Sequence, residues 1–416
     1  MLREMNVRAG QEIEIDSLSN CIRVNEDRLY STSLFTDVDI DIDTISAHSI
    51  VLQVRVKERW YIIPEFSFDV VDRNFNVWWT EKNHDIRRSI IGVTLKHQNL
   101  LGNREQLGVT AQIGYRQEFG VNYIVPYLDK NKKHGLGVEA EISESKEIFY
   151  ATDSNKLKQI RIIGMPMLRQ ANVSVAYYYR PQYATTHVLQ ATYYRAAIAD
   201  TVYQLNPNYY SNGSKEMRYA ALNYRISVNR VDNWNYPLQG SKIIGNAFSL
   251  VGFKGMDFNT YFTLEAGQFN RIAQSPWYTS VIFRGKLSFP AQQPYALQQG
   301  MGTKYEYVRG YEMYVVDGYH FGLLRTNLKY ELLHYTIKKI PLKYLPTLPL
   351  RVYPKIIADA GYVYHPQPGN SFLSNRLLYS AGVGLDFFTA YDFKIRIEYV
   401  INHLGQKGLF LHIHSE

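Results

Sequence analysis

From about Trp60 to the C-terminus, apolar and polar residues alternate with a period of two, the pattern of strands that present one apolar face. In LGVTAQIGYR, Leu107, Val109, Ala111, Ile113 and Tyr115 alternate with Gly108, Thr110, Gln112, Gly114 and Arg116. LNYRISVN sets Leu222, Tyr224, Ile226 and Val228 against Asn223, Arg225, Ser227 and Asn229. YDFKIRIEYV does the same with Tyr391, Phe393, Ile395, Ile397 and Tyr399. The pattern predicts strands near 61–70, 86–98, 105–117, 119–130, 134–150, 169–181, 185–200, 216–231, 240–253, 257–271, 277–289, 319–335, 351–364, 376–388, 391–401 and 407–414. Short turn signals (NLLGN, DKNKKHG, NYPLQG) alternate with long connections such as 201–215 and 290–318.

Residues 1–58 have a different rhythm. Leu18, Cys21, Ile22 and Leu29 recur at helical spacing behind Asp16 and Ser17, which predicts a helix over about Asp16–Ser33. FTDVDIDI and SIVLQVRV then alternate as two strands. A helix over a half-buried hairpin holds little core of its own, so this unit is expected to begin before Met1 or to lean on a neighbour.

A soluble sandwich would alternate as well. What favours a membrane barrel is an even strand count, strands of about ten residues or more, and a heavily ionised polar face. Arg325, Asn327, Lys329 and Glu331 on one strand, with Asp392, Lys394, Arg396 and Glu398 on another, suit a wet lumen. The fold expected is all-β: a 16-stranded antiparallel transmembrane barrel over 59–416, after a small α+β domain over 1–58.

Composition sharpens this picture only in places. The 416 residues include 35 Tyr and 19 Phe, which suits many strands. No stretch nears the roughly 18 consecutive apolar residues of a membrane helix. The charged start, MLREMNVRAGQ, does not read as an export signal, so the chain is expected to be either cytoplasmic or a mature or truncated form. The net charge of +8 would suit an acidic partner, but with no basic run or basic-aromatic cluster, nucleic acid is not expected. The single Cys21 forms no internal disulfide or metal cluster. His412 and His414 share a strand face but have no third ligand, and read as lumen polar groups.

One arginine stands out. KYEYVRGYEMY, residues 304–314, places Arg309 between Val308 and Gly310 in a long connection. Arg309 is either a solvated loop charge or half of a pair whose partner lies elsewhere. Gly310 would let the backbone turn tightly or approach a wall closely, and Tyr305 and Tyr311 would pack on the loop's inner side.

These residues resemble the outer-membrane assembly family that includes BamA and TamA, in which a periplasmic POTRA domain precedes a sixteen-stranded barrel. REMNVRAG…RLYSTSLFTDV is similar to the later part of a POTRA repeat, and Val308, Arg309, Gly310 and Tyr311 to the family's V-R-G-F/Y motif on the sixth extracellular loop. The resemblance spans nearly the whole chain. It implies that the loop folds into the lumen and that Arg309 meets an acidic wall residue. Glu331 in NLKYELL and Asp359 in IIADAGYVY are the candidates, the latter opening a D-x-G pattern that ends on Gly361. It also implies a seam between the first strand, with Pro64 that donates no ladder bond, and the short last strand holding Gly408 and Phe410. Pro64 as plain strand-end punctuation is the other reading. The missing first part of the POTRA repeat implies that further repeats and a signal peptide precede the chain. The end at His414, Ser415 and Glu416 departs from the family's aromatic terminus.

The expected function is an outer-membrane assembly factor that folds and inserts barrel proteins through an openable seam. Unfolded barrel clients and outer-membrane lipids would be its partners, accessory lipoproteins would join them, and no cofactor would be needed. The alternative is a polypeptide translocation pore of the two-partner secretion type. An enzyme is not expected, because the sequence has no G-x-S-x-G, H-E-x-x-H or glycine-rich phosphate loop.

Overall fold

In the computed structural model the described residues are all except 1–4, 6, 31–34, 47–48, 59, 71–75, 183, 304–305, 339–346, 390–393 and 413–416. Ser31–Ser33 of the expected first helix, Tyr305 and His414 lie outside them.

The first unit is a helix, α1 (Ile15–Tyr30), with a hairpin of β1 (Phe35–Ser46) and β2 (Ser49–Glu58). Leu29, Phe35 and Ile40 form its core, with Ile22, Val38, Leu52 and Val54 packed around them. Glu26 in α1 accepts a bond from the Ile40 amide at 3.1 Å, fixing the helix to the hairpin.

The rest builds one large antiparallel sheet curled into a barrel, joined mostly by neighbours in sequence because short turns pair consecutive strands. Its strands are β3 (Ile62–Val70), β4 (Ser89–Gln98), β5 (Gln106–Gly114), β6 (Arg116–Val125) and β7 (His134–Ser145). After a separate hairpin, β8 (Glu147–Asp153) and β9 (Lys156–Arg161), come β10 (Leu168–Gln182), β11 (Thr185–Ile198), β12 (Glu216–Val231), β13 (Gly240–Lys254), β14 (Phe258–Arg271) and β15 (Trp277–Phe289). β16 (His320–Tyr330), β17 (Leu333–Lys338), β18 (Thr347–Tyr364), β19 (Leu377–Thr389), β20 (Lys394–Asn402) and β21 (Lys407–His412) finish the chain. β7 pairs directly with β10, and β21 stands next to β3 in the sheet order.

Most sequence-expected strands match within a few residues. Three differences have physical causes. The stretch expected to extend strand seven to 150 breaks at Lys146, whose amide turns to the Tyr115 carbonyl, and the chain leaves the wall as the β8–β9 hairpin. The expected strand 319–335 divides at Glu331 and Leu332. Lys329 faces Lys355 but Leu333 faces Val352, so one extra residue is accommodated there. A short helix, α2 (Asp200–Leu205), opens the long connection after β11, with Val202 fully buried.

The outer wall is apolar: Ile113, Val173, Leu222, Phe262, Val281 and Val383 are all exposed at alternate strand positions. Such a surface is costly in water and matches a hydrocarbon surround. Among the described residues no helix is long and apolar enough to cross a membrane.

The near end of the barrel is here the end at which β3 starts; the long connections gather at the far end. There Asn155, fully buried in the β8–β9 turn, gathers three segments. Its side chain donates to the Val315 carbonyl at 2.9 Å and accepts from Phe372 and Leu373 amides at 2.9 and 3.2 Å. At the near end the turn between β12 and β13 folds across the lumen. Tyr236 donates to Asp386 on β19 at 2.8 Å and stacks on Phe388, while Lys394 on β20 donates to the Asn235 carbonyl.

Candidate functional site

The inward connection 290–319 is pinned by backbone pairing of Met301 with Val316, and then turns sharply at Val308–Tyr311. The Tyr311 amide bonds the Val308 carbonyl at 3.0 Å, and Gly310 has φ +88° at the third turn position, as a type II turn requires. A side chain at Gly310 would be strained by that φ and would stand 3.1 Å from Val400. The turn therefore lies directly on the inner wall. The Asn402 side chain donates to the Gly310 carbonyl at 2.8 Å, and Tyr311 bonds His403.

Arg309 sits at the tip with 1% of its surface exposed. Its Nε and Nη2 grip Asp359 at 2.7 and 2.5 Å, and its own backbone amide donates to the same carboxylate at 3.1 Å. Nη1 donates to Asn327 Oδ1 at 2.6 Å and reaches Glu398 at 3.4 Å, and Nη2 also meets the Thr326 carbonyl at 3.2 Å. A bidentate fork with its remaining donors bonded to a second strand allows very little rotation, which fixes the loop in one place. A charge this buried is tolerable only because it is paired and fully bonded.

The anchor belongs to a larger network. Lys355 bridges Glu398 and Asp386 at 2.7 Å each, and Asn327 donates to Ser280 at 2.8 Å. His412 on β21 lies 3.3 Å from Glu398 and 3.6 Å from Glu312, with its other ring nitrogen 3.1 Å from the Tyr307 hydroxyl. Glu312 in turn accepts from the Gly310 amide at 2.7 Å, and Arg325 donates to the Tyr307 carbonyl at 2.6 Å. The loop is thus bonded to β16, β18, β20 and β21 together.

Of the residues singled out in sequence, Val308, Arg309, Gly310, Tyr311, Asp359 and Gly361 come together. Gly361 is the slot for Val308: a Cβ there would stand 2.6 Å from the valine methyl. Glu331 does not join them, which corrects its place as a candidate partner. Asp359 pairs across from Arg325, and Glu331 is six residues further down the wall, roughly 20 Å at strand rise. It instead accepts from Tyr278 at 3.0 Å near the strand irregularity. Asn327, Glu398, Lys355, Glu312 and His412 were not singled out as anchor partners. Strand parity puts all but Glu312 on the polar face, and parity was the signal available for them.

At the seam, Pro64 lies in the β3 ladder opposite Leu95. Gly408 and Phe410 face inward on β21, where the Phe410 ring lies over Gly408 so closely that a Cβ would meet it at 2.4 Å. Phe410 packs with Ile357 and Val400, so the inner side of the last strand is part of the core. In the closed sheet order β21 is the hydrogen-bonded neighbour of β3, and six registered pairs join it to β20. Among the described residues there is also no cluster of metal-ligating side chains.

No protein-family model and no curated protein matches the sequence. Solved structures do match. BamA from Haemophilus ducreyi lacking POTRA domains 1–3 superposes with a TM-score of 0.67 at 13% identity, over 99% of this chain and 79% of that one. CdiB from Escherichia coli gives 0.52 at 12% identity, over 100% and 72%, and CdiB from Acinetobacter baumannii 0.52 at 12%, over 98% and 69%. At these identities the likeness is one of fold, and the chain has the barrel fold of the BamA and CdiB outer-membrane proteins.

Proposed function

We propose that this chain is an outer-membrane assembly factor that folds and inserts β-barrel proteins through the seam between its first and last strands. The observation that carries this reading is the anchored loop: Arg309, held by Asp359, puts Glu312, Tyr307 and the Gly310 carbonyl against β20 and β21. The last strand is thereby held rigid at the seam, an arrangement suited to adding strands at an edge. The stronger likeness to BamA, 0.67 against 0.52 for CdiB, supports the same reading.

In this reading the wall closes as sixteen strands, with β16 and β17 counted as one interrupted strand. The helix-and-hairpin unit is the end of a POTRA domain in the periplasm, and the far-end connections are extracellular. Unfolded barrel clients and the surrounding lipids are the partners, with accessory lipoproteins docking on the periplasmic side. No chemical step or cofactor is involved, and nucleic acid is not a partner.

A translocation pore is the second reading, favoured by the likeness to CdiB. Purified protein in liposomes separates the two. Faster folding of an unfolded outer-membrane barrel, abolished by Arg309→Ala in a protein that still folds, is the expected result. Ion conductance without any acceleration of client folding would overturn the assembly reading in favour of the pore.

A further inference from the structure

The outer edge of the last strand is occupied by a side chain. Asn76 Nδ2 donates to the Leu409 carbonyl at 2.8 Å, and the Leu411 amide donates to Asn76 Oδ1 at 3.1 Å. These two backbone groups flank Phe410, whose own partner on the other side is Glu398 of β20. They are the two groups that a neighbouring strand would bond at this position. A carboxamide carries one donor face and one acceptor face in a plane, so a single Asn side chain stands in for the two bonds that flanking residues of a neighbouring strand would make here.

Asn76 is held there not by the wall but by the far-end lid, formed by the β8–β9 hairpin, the segment 76–88 and the end of the connection 290–319. It opens the short helical turn Val77–Glu81, with Thr80 bonded back to its carbonyl at 2.7 Å. Glu81 pairs with Lys156 at 2.6 Å and Lys82 donates to Gln159 at 2.8 Å, both on β9. The same hairpin carries Asn155, bonded to Val315 on the connection that holds Arg309. A continuous set of polar contacts thus runs from the anchored loop, through the lid hairpin, to the cap on the strand edge.

We propose that Asn76 is an internal competitor for the edge of β21, and that an extended polypeptide strand binds there only when the segment 76–88 lifts away. The partner this edge fits is a backbone with free N–H and C=O groups and apolar side chains at alternate positions. Leu409, 64% exposed, projects outward beside it, while Phe410 is turned to the core. The exchange is near isoenergetic in hydrogen bonds, two side-chain bonds for two backbone bonds, so release of the lid decides access. This inference rests on the seam accepting strands, as proposed above.

The test uses the full chain in lipid vesicles and a ten-residue synthetic peptide of alternating apolar and polar residues, carrying a photoreactive group. Two quantities are read: hydrogen exchange at the Leu411 amide, and the yield of peptide cross-linked to β21. Asn76→Ala is expected to speed exchange at Leu411 by about tenfold, the loss of one net hydrogen bond, and to raise cross-linking several-fold. Unhooking the lid with Lys82→Ala and Lys156→Ala, Asn76 left intact, is expected to give a smaller rise in both. A peptide N-methylated on the bonding edge is expected to be captured by none of them. Retained strand content by circular dichroism and heat-shifted mobility on gels identify folded variants. If folded Asn76→Ala and the double variant both leave Leu411 exchange and capture unchanged, or if the N-methylated peptide is captured equally well, the proposal is overturned. Edge access is read without client folding. A variant that captures more peptide while no form of the protein accelerates client folding would sink the assembly reading and leave the cap intact.

Discussion

The arc of wall from β15 to β20 and the arc from β3 to β6 carry the same residue types on their inner faces and use them differently. On the first, Lys329, Lys355, Asp359, Asp386 and Glu398 are all buried, because the connection 290–319 and the near-end turn lie on them. On the second, Glu65 and Lys96 pair at 2.7 Å, yet about half of each side chain remains exposed. An ion pair in water contributes little, whereas a buried one leaves an uncompensated charge when one partner is lost. Docked loops have thus turned one half of a wet lumen into a polar core, and the other half has stayed soft.

The largest break in that comparison comes from Arg309→Ala. Losing one member of the buried set is expected to cost about 3–5 kcal/mol of loop docking. It should appear as rapid hydrogen exchange over the connection 290–319 in a barrel that remains folded. Glu65→Ala with Lys96→Ala, the same chemistry on the soft arc, is expected to change stability by no more than about 0.5 kcal/mol. Equal effects of the two would show that burial does not separate the arcs.

Gly361→Val tests the packing side of the same anchor. The added side chain enters the space of Val308, whose methyl stands 2.6 Å from a Cβ at that position. Overpacking of this kind costs about 1–3 kcal/mol, and partial release of the loop, seen by limited proteolysis, is the expected outcome.

A third effect is pH-dependent and lies in the lid. Asp317, at the far end of the connection, is pushed up from an ordinary value of 3.8 to about 6, first by burial and against a bond from Thr152. Its folded form holds a proton more tightly than the unfolded form does, so lid packing is strongest below pH 3.8 and is weakened as pH rises through about 6. Exchange in the lid, corrected for intrinsic rates, should slow between pH 7.5 and 5. Asp317→Asn should show the slower rate at both, and a lid whose rate is the same at both pH values would remove Asp317 from the account.

A smaller effect within the braced arc is that of Tyr236→Phe, which keeps the ring stack on Phe388 and removes the bond to Asp386. A loss of about 1 kcal/mol is expected, read as a modest rise in single-channel conductance. Unchanged conductance would mean that the stack alone holds the turn.

Most of the wall was legible because period-two alternation is a property of each strand taken alone. The arginine anchor was legible in part for the same reason. Parity tells which face a residue takes, so both Asp359 and Glu331 fell on the polar side. Depth along the wall depends on register and on how far the loop reaches, which no single strand encodes, and this is where Glu331 fails. The strand expected over 134–150 takes in the start of β8, Glu147–Tyr150, as a tail of the wall. What detaches it is tertiary: Arg88 pairs with Glu147 at 2.8 Å, and Asn155 is bonded by segments 160 and more residues away. Asn76 had no local signal, because its role exists only when the far strand is alongside.

The turn that carries Tyr236 also has a mechanical consequence. A bilayer squeezes a barrel laterally, and a thin-walled cylinder answers by flattening. Asn235 and Tyr236 tie the β12–β13 corner to β18, β19 and β20 across the bore, as a strut braces a hoop. A hoop braced along one chord ovalises on the arc that the chord leaves free. Here that arc runs from β21 through β3 to β11, so in the membrane setting proposed above the lateral pressure of lipid would be concentrated on the seam.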